Sequence, residues 1–267
     1  MQRTLEKAKL DLLYSELVNA GLWAEEMQSK VERSYKADGS VLTEVDSALS
    51  KRLISRINEL FPDCQVISEE DDTERVANPP YTFILDPIDG TDVYSQGLPS
   101  FAVSLGIVDE NRNPVGAMIS APRFGIATKA LNLRLDPGAE LLVNDEVFNM
   151  KGEKNHLTQI AVSSRGQELI DYDTLKAKAR IFGSTIIHLL LPVLLQSFQA
   201  AYSTPCYIWD VASSHAVLKH FGMDIEYIDG SKFIYDDYLY NKNKMKNYII
   251  AGTEEARAEL KKSLKLK

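Results

Sequence analysis

The stretch Asp86-Pro87-Ile88-Asp89-Gly90-Thr91 is the most informative part of this chain for its fold. It directly follows an apolar run, Tyr81-Thr82-Phe83-Ile84-Leu85, which predicts a buried strand. Carboxylates crowded at the end of such a strand repel each other, and a divalent cation is their natural compensation because Mg2+ prefers oxygen ligands. Gly90 allows a sharp turn, and Thr91 supplies a hydroxyl where a helix would begin. The same residue types are also common in ordinary turns, so the hexapeptide alone leaves that interpretation open.

Two further acidic motifs also lie where apolar segments end. The first, Val66-Ile67-Ser68-Glu69-Glu70-Asp71, runs from a short predicted strand into carboxylates. The second, Tyr207-Ile208-Trp209-Asp210-Val211-Ala212, predicts Asp210 in the first turn of a helix that stops at Gly222. Taken singly, the first motif is more typical of a solvated loop, and Asp210 is more typical of a partner for the helix dipole. Their shared position at the ends of apolar elements favours a common site.

The order of these motifs resembles that of the inositol monophosphatase family, a group of Mg2+-dependent, Li+-sensitive phosphomonoesterases. The family pattern of paired acids, then D-P-I/L-D-G-T, then W-D-x-A is present here as Ser68-Glu69-Glu70, Asp86 to Thr91, and Trp209 to Ala212. The segments Lys36 to Asp46 and Pro99 to Ser104 fit the same pattern. The resemblance covers roughly Lys36 to Gly222, and the three acidic motifs in this order are specific together.

The resemblance implies a layered αβαβα sugar-phosphatase-like fold with two lobes. The predicted elements agree, with an α+β pattern in the first half and an α/β pattern in the second. We predict an N-terminal α+β lobe at 1–150, which carries most of the metal ligands. A C-terminal α/β lobe at 151–267 would carry Asp210 and the helix on the substrate side. The boundary is expected near Phe148 to Leu157.

Hydrophobic periodicity predicts the individual elements. Helices are predicted at about 5–30, 43–60, 171–178, 184–198, 209–221 and 254–264. Strands are predicted at 65–68, 82–88, 101–108, 115–121, 126–133, 138–144, 159–164, 179–182, 200–203, 224–228 and 248–251. Residues 35–42 are polar and contain Gly39, so we predict a mobile loop there.

The resemblance also implies a role for each residue of the site. The expected metal ligands are Glu69, Asp86, Asp89, Asp210 and the backbone carbonyl of Ile88. The expected catalytic residues are Asp46, Thr91 and Glu69, where Thr91 orients the attacking water and Asp46 accepts a hydrogen bond from its hydroxyl. The expected substrate contacts are Asp89, Gly90, Thr91, Gly183, Ser184 and Asp210, with Lys36 as the lysine of a flexible loop.

Ordinary structural interpretations compete with three of these assignments. Asp46 and Thr43 fit a capping pair at the start of a helix. Ser184 fits a simple helix N-cap, and Lys36 fits an exposed surface lysine.

The activity that the resemblance implies is Mg2+-dependent hydrolysis of a small-molecule phosphate monoester by metal-activated water. Two or three Mg2+ ions are expected, with Mn2+ as an alternative ion and Li+ as an inhibitor. An inositol monophosphatase activity is narrowly favoured, although Ser203 stands where inositol phosphatases of the family carry a glutamate. A 3'(2'),5'-bisphosphate nucleotidase is the alternative, although Asp92 stands where that branch carries a basic residue.

Two weaker alternatives stay open. One is a fructose-1,6-bisphosphatase activity, for which Arg123, Lys129 or Arg165 would serve the sugar pocket. The other is a non-catalytic, metal-binding regulator on the same fold. Retention of every ligand position argues against that regulator.

Composition sets broader limits. A chain of 267 residues with 45% hydrophobic residues can bury a sizeable core. Its net charge of −8 argues against a binder of nucleic-acid polymers or anionic membranes. Cys64 and Cys206 are too few for a disulfide framework, and neither a signal peptide nor a transmembrane run is predicted, so we expect a cytoplasmic protein. The family resemblance implies a homodimer.

Overall fold

A computed structural model describes residues 4–37, 39–125, 129–152 and 156–264, in which helices surround two β-sheets. The helices are α1 (Lys7–Met27), α2 (Glu44–Leu60), α3 (Thr91–Ser95), α4 (Thr185–Leu194), α5 (Ala212–His220), α6 (Asp237–Tyr240) and α7 (Glu254–Lys261). The strands are β1 (Ser34–Tyr35), β2 (Val41–Leu42), β3 (Gln65–Ser68), β4 (Tyr81–Asp89), β5 (Ala102–Asp109), β6 (Pro114–Ala121), β7 (Leu131–Leu135), β8 (Leu142–Val143), β9 (Glu146–Val147), β10 (Gln159–Val162), β11 (Lys178–Arg180), β12 (Ala200–Ser203), β13 (Asp224–Tyr227) and β14 (Ile249–Gly252).

The larger sheet has seven strands in the order β3-β4-β5-β6-β7-β8-β9. Only β3 and β4 run parallel among these neighbouring pairs. Every residue of β4 is buried, as expected for an apolar strand covered on both faces. Its pairing with β5 shifts between Asp86 and Asp89, where Pro87 removes a backbone donor. The irregularity separates the two aspartates that close the strand.

The smaller sheet has five strands in the order β11-β10-β12-β14-β13. Strand β10 runs parallel to both of its neighbours, whereas β14 runs antiparallel to both of its own. The alternation of strands and helices in this half of the chain therefore gives a mixed sheet.

Helices and sheets alternate in five layers. Helices α1 and α2 pack on one face of the seven-stranded sheet through buried leucines such as Leu17 and Leu53. Helices α4 and α5 lie between the two sheets, and α7 covers the outer face of the five-stranded sheet through Ala256 and Leu260. Each fully buried leucine on these faces stabilises the fold by about 2 kcal/mol relative to an exposed one. The predicted αβαβα layering is confirmed.

The residue types of α4 and α5, the two helices of the central layer, explain how these helices pack between the sheets. Residues Ile186–Leu194 of α4 are all buried, because the helix has a sheet on each side. Helix α5 lies close against β5 at Gly106, where a Cβ atom would stand 2.6 Å from the Cβ atom of Ala212. In the described ranges, no helix combines the length and the apolar content that crossing a bilayer requires.

Several predicted elements differ from the structure. The helix predicted at 171–178 is wrong: turns occupy this segment, and Lys178 begins β11 by donating its amide to the Thr158 carbonyl at 2.9 Å. The following helix ends at Leu194 instead of 198, because Leu195 takes up an extended backbone. The predicted loop at 35–42 contains the short pair β1 and β2, and its Asp38 lies outside the described residues.

Two strand predictions were too long or shifted. The strand predicted at 126–133 is observed as Leu131–Leu135, and residues 126–128 lie outside the described residues. The strand predicted at 138–144 is limited to Leu142–Val143, which pairs with β9 in a hairpin.

The expected lobe boundary near 148–157 falls between β9 of the larger sheet and β10 of the smaller one. Residues 153–155 lie outside the described residues. Helices α4 and α5 follow this segment in the chain, yet both contact the larger sheet. The division into lobes therefore stays a prediction.

A buried histidine in α4 predicts a pH dependence of stability. Burial lowers the pKa of His188 to about 3, and its Nε2 accepts a hydrogen bond from the Phe182 amide at 2.8 Å. The unfolded chain takes up this proton below about pH 6.5, whereas the folded chain does not. The unfolded state then binds more protons. His188 should therefore contribute a loss of unfolding free energy as the pH drops from about 6.5 toward 3, by up to about 1.4 kcal/mol per pH unit, and the difference from a non-titrating residue at this position isolates that contribution.

Urea denaturation across this pH range measures the effect, with His188→Gln as the comparison. Glutamine offers an oxygen acceptor to the Phe182 amide but does not titrate. The variant should lose the part of the slope that His188 contributes. Identical slopes in the two proteins would contradict a neutral, buried His188.

Candidate metal centre

The carboxylates of Asp86, Asp89 and Asp210 converge at one point. Each offers an oxygen atom, and these atoms lie within 4.8 Å of one another. Asp86 and Asp89 lie at the end of β4 and are buried, whereas Asp210 lies in the turn before α5 and is partly exposed. The fold thus brings together three of the predicted ligands from two distant parts of the chain.

Asp86 fits a cation ligand best, because no described residue donates a hydrogen bond to its carboxylate. Among the described residues, neither of its buried carboxylate oxygens has a hydrogen-bond partner. Burial, followed by the charges of Glu69, Asp89 and Asp210, raises the pKa of Asp86 well above its usual value. A buried carboxylate without donors is costly unless a cation coordinates it. This all-oxygen donor set fits a hard divalent ion such as Mg2+ or Mn2+.

Asp89 is bound to the start of α4. Its Oδ2 accepts hydrogen bonds from the Ser184 hydroxyl and, at 2.9 Å, from the Ile186 amide, while Oδ1 accepts from the Thr185 amide at 3.2 Å. Burial raises the pKa of Asp89 to about 7, against the opposing effect of these donors. Ser184 also caps α4 by accepting from the Ile187 amide at 3.1 Å. The N-cap interpretation of Ser184 is therefore confirmed, and its hydroxyl also contacts a predicted ligand.

Two glycines allow the turns beside Asp89 to approach each other. Gly90 and Gly183 have positive φ angles of 88° and 94°, a conformation that disfavours side chains. A Cβ atom on Gly183 would lie 2.3 Å from Cγ1 of Val93 in α3. The predicted substrate contacts Gly90, Thr91, Gly183 and Ser184 thus lie on two adjoining turns.

Asp46 connects α2 to the same site. Its Oδ2 accepts from the Thr43 amide at 3.0 Å and from the Thr43 hydroxyl at 2.5 Å. Its Oδ1 lies 2.9 Å from the Thr91 hydroxyl, which also lies 2.9 Å from the Ile88 carbonyl. Burial raises the pKa of Asp46 to about 6, although the bonds from Thr43 and Thr91 oppose the rise. The capping pair exists, and the second oxygen of the same carboxylate remains available to Thr91.

Glu69 lies beside the three aspartates and is held by Lys36. The Lys36 ammonium donates to Glu69 Oε1 at 2.7 Å and to Glu70 Oε1 at 2.6 Å. Burial raises the pKa of Glu69 to about 8, Lys36 opposes the rise, and the charges of Glu70 and Asp210 add to it. Lys36 is therefore a partly buried ion-pair partner, and the interpretation as an exposed surface lysine is wrong.

Asp210 lies outside its predicted helix. Helix α5 begins at Ala212, and the Asp210 carboxylate instead accepts from the Tyr207 amide at 2.6 Å, which closes a turn. Burial and the charge of Asp89 raise the pKa of Asp210 to about 7, while the Tyr207 amide and the charges of Lys244 and Lys36 oppose the rise. Asp210 therefore lies two residues before α5 and not in its first turn, and its carboxylate still belongs to the cluster.

Some contacts of the site were not predicted from the sequence. Glu70 accepts a hydrogen bond from Lys36, as Glu69 does. The adjacent positions of the two glutamates could have predicted this second contact. Thr185 and Ile186 contact Asp89 through their backbone amides, so the residue types at these positions do not predict the contact. Asp92 is paired with Arg33, so its charge is balanced within the chain.

In the part of the chain that the structure describes, no hydrogen bond or ion pair joins the basic residues suggested for a sugar pocket, Arg123, Lys129 and Arg165. Arg123 donates to the Gln28 side chain and, at 2.9 Å, to the Gly97 carbonyl. Lys129 and Arg165 are exposed.

Fold and site together define a layered α/β protein whose carboxylate centre suits divalent cations. The chain matches the model of the inositol monophosphatase family over residues 11–263, and it belongs to that family. The IMPase structure from Thermotoga maritima has a TM-score of 0.76 to this chain at 20% identity, and the match covers 96% of each chain. The predicted family and fold are confirmed.

Curated relatives match over shorter segments. Nus factor SuhB from Haemophilus influenzae is 32% identical over 103 residues, which is 39% of each chain. The fructose-1,6-bisphosphatase/inositol-1-monophosphatase of Aquifex aeolicus is 31% identical over 118 residues, which is 44% of each chain. The chain therefore spans about two fifths of the length of these relatives.

Ser184 offers a test of the link between Asp89 and α4. Ser184→Ala removes both an N-cap and a donor to Asp89, whereas Thr253→Ala removes only the N-cap of α7, which accepts from the Ala256 amide at 3.2 Å. Loss of a cap alone costs about 1 kcal/mol. Loss of a hydrogen bond to a charged group adds about 1.5–3 kcal/mol.

Guanidinium denaturation near pH 8 in a chelator measures both variants, because Asp89 is ionised there. Ser184→Ala should destabilise the fold more than Thr253→Ala does. Equal losses would mean that the hydroxyl contributes nothing to Asp89.

Proposed function

We propose that this protein hydrolyses a small phosphate monoester in the presence of Mg2+. The observation that carries the proposal is the convergence of Asp86, Asp89 and Asp210, with both Asp86 oxygens lacking a partner among the described residues. Membership in the inositol monophosphatase family supports it. We favour an inositol monophosphatase-like activity.

Asp86, Asp89, Asp210, Glu69 and the carbonyl of Ile88 would hold the metal. When bound, Mg2+ polarises the phosphate and makes water more acidic. From the family we expect two or three ions, Mn2+ as a substitute and Li+ as an inhibitor. The buried site excludes bulk water around Asp86, which strengthens its interaction with any cation.

Thr91 and Asp46 would orient the attacking water. When the Thr91 hydroxyl donates to Asp46 Oδ1, at 2.9 Å, its oxygen lone pairs are free to accept a hydrogen from water. The buried Asp46 is fixed in turn by both donors of Thr43. Glu69 would complete this group beside the metal, and Lys36 ties the β1–β2 segment to it. Together these residues would hold the water for attack on the phosphorus atom.

The phosphate group would lie against the two glycine turns. The amides of Gly90 and Thr91, where α3 begins, would receive phosphate oxygens, and the turn at Gly183 and Ser184 lies beside them. The first amides of α4 are already bonded to Asp89 and Ser184. Water attacks phosphorus, the ester P–O bond breaks, and the departing alcohol oxygen takes up a proton. Asp210 would lie on the side of this leaving group.

A 3'(2'),5'-bisphosphate nucleotidase remains the second candidate. The pairing of Asp92 with Arg33 favours it, because a balanced carboxylate repels a second phosphate less than an isolated one does. Ser203 is buried and brings no carboxylate for inositol hydroxyls. A non-catalytic regulator is not favoured, because every expected ligand side chain is present.

We also propose a cytoplasmic homodimer. Both cysteines, Cys64 and Cys206, are buried thiols, which suits a reducing compartment. The homodimer is carried by the family alone, and light scattering of the purified chain would test it.

Phosphate release from a panel of esters tests the activity. The panel holds inositol 1-phosphate, 3'-phosphoadenosine 5'-phosphate, fructose 1,6-bisphosphate and histidinol phosphate, each with Mg2+ and with a chelator. We expect Mg2+-dependent turnover of at least one compound, with inositol 1-phosphate favoured. Mg2+ binding by calorimetry without turnover of any compound would instead support the non-catalytic alternative.

Removal of one ligand charge should abolish most of this activity. Asp89→Asn and Asp210→Asn keep the side-chain size but weaken Mg2+ binding, and we expect kcat/KM to fall on the order of 100-fold or more. The control is Asp72→Asn, because Asp72 belongs to the acidic run that begins at Glu69 but is exposed and pairs with Lys242. Calorimetric Mg2+ affinity provides the second readout. Activity and affinity preserved in the two ligand variants would rule out the assigned centre.

A further inference from the structure

A cleft of about 940 Å³ lies along β3, the edge strand of the seven-stranded sheet. Gln65 and Ile67 of β3 and Thr82 of β4 line it, together with the segment 71–79 and the residues 240–242 at the end of α6. A cavity of this volume lies within the range that holds small-molecule ligands in proteins.

The cleft adjoins the carboxylate centre through one short segment, Glu69 to Asp72. Glu69 and Glu70 bind Lys36 at the centre, whereas Asp71 and Asp72 line the cleft. None of the three clustered aspartates of the centre lines the cleft. The cleft is therefore a separate space, although it shares this segment with the centre.

Negative charge prevails among the side chains that line the cleft. Five of them are carboxylates and three are basic, which leaves an excess of two negative charges. Arg112 pairs with Asp237 at 2.5 Å. Lys242 pairs with Asp72 at 3.1 Å, and the third basic group, Arg75, donates to a neutral side-chain amide. Because the charge left over is negative, the cleft favours a cation from solution.

Two carboxylates of the cleft, Asp71 and Glu110, form no ion pair within the part of the chain that the structure describes. The Oδ2 atom of Asp71 is buried, and no described residue donates a hydrogen bond to it. Asp109, in contrast, accepts from the amides of Asn111 and Asn113 at 2.9 and 2.8 Å. A buried carboxylate oxygen without a donor is costly, and an ammonium group of a ligand would supply that donor.

These two carboxylates lie toward opposite ends of β3. Asp71 comes three residues after Ser68, the last residue of β3. Glu110 follows Asp109, which pairs with Tyr81 at the start of β4, and β4 runs parallel to β3. A strand of four residues spans about 13 Å. A ligand that contacts both carboxylates must therefore be long and narrow.

We propose that the cleft binds a linear aliphatic polyamine, with one ammonium group at Asp71 and another at Glu110. Such a chain carries at least two positive charges, which matches the excess of two carboxylates. Ile67 and Val76 also line the cleft and would contact the methylene groups between the amines. The inference concerns a second ligand site and does not depend on hydrolysis of a phosphate ester.

Isothermal titration calorimetry with putrescine, spermidine and spermine tests the site. The protein is held in excess Mg2+, so that the carboxylate centre is occupied by the metal. Asp71→Asn and Glu110→Gln each remove one charge of the cleft and keep the side-chain size. Asp173→Asn and Glu146→Gln are the matched controls, because they remove the same charges from exposed positions outside the cleft.

The wild type should bind one spermidine or one spermine per chain, and both more tightly than putrescine, because the longer amines reach both carboxylates. Asp71→Asn and Glu110→Gln should each raise the Kd for spermidine about tenfold, as expected for loss of a charged contact. The two control variants should leave the Kd unchanged.

Three results would overturn the site. One is no binding of any of the three amines to the wild type. Another is an equal loss of affinity in the cleft variants and the controls, which would indicate diffuse attraction to a chain of net charge −8. The third is binding that occurs only after Mg2+ is chelated, which would place the amine at the carboxylate centre. Thermal melts of each variant separate loss of the site from loss of the fold.

Discussion

Repulsion between the carboxylates of Asp86, Asp89 and Asp210 is the constraint on which the rest of this structure depends. Two such charges 4.8 Å apart repel by about 3.5 kcal/mol at an effective dielectric constant near 20. The fold offsets this cost unequally. Asp89 accepts three hydrogen bonds at the start of α4 and Asp210 accepts one from Tyr207, whereas neither oxygen of Asp86 has a partner among the described residues.

The same bonds that stabilise these charges also join the layers. Asp89 ends a strand of the larger sheet, and its donors belong to a helix that packs on the smaller sheet. Asp46 brings in α2 from the opposite face through Thr91. The centre therefore lies where three layers meet, and its geometry is set by elements that are far apart in the sequence.

Prediction from the sequence succeeded best where a local pattern of residues determines the local backbone structure. The apolar run before Asp86 predicts a buried strand, and Gly90 and Thr91 predict the turn and helix that follow it. Family motifs supplied the partners from distant segments. The helix predicted at 171–178 failed because the amide of Lys178 is used in pairing with β10, a contact that helical periodicity does not reveal.

Other features depend on contacts that no local pattern contains. Asp210 lies before α5 because the Tyr207 amide closes a turn around its carboxylate. Lys36 is drawn into the site by two glutamates more than thirty positions away. Lys244 gains its position from Tyr207, and the alternation of lysine and asparagine around it indicates only an exposed, polar segment.

The close approach at Gly106 has a consequence for how the centre tolerates sequence change. A Cβ atom there would meet the backbone of Ala212 and Ser213 at 2.8 Å, so β5 and the start of α5 touch almost main chain to main chain. The distance between the strand layer and Asp210 is thus set by contacts of backbone atoms and not by side chains. An alanine at position 106 would therefore force the start of α5 away from the strand layer and displace the Asp210 carboxylate from the other two.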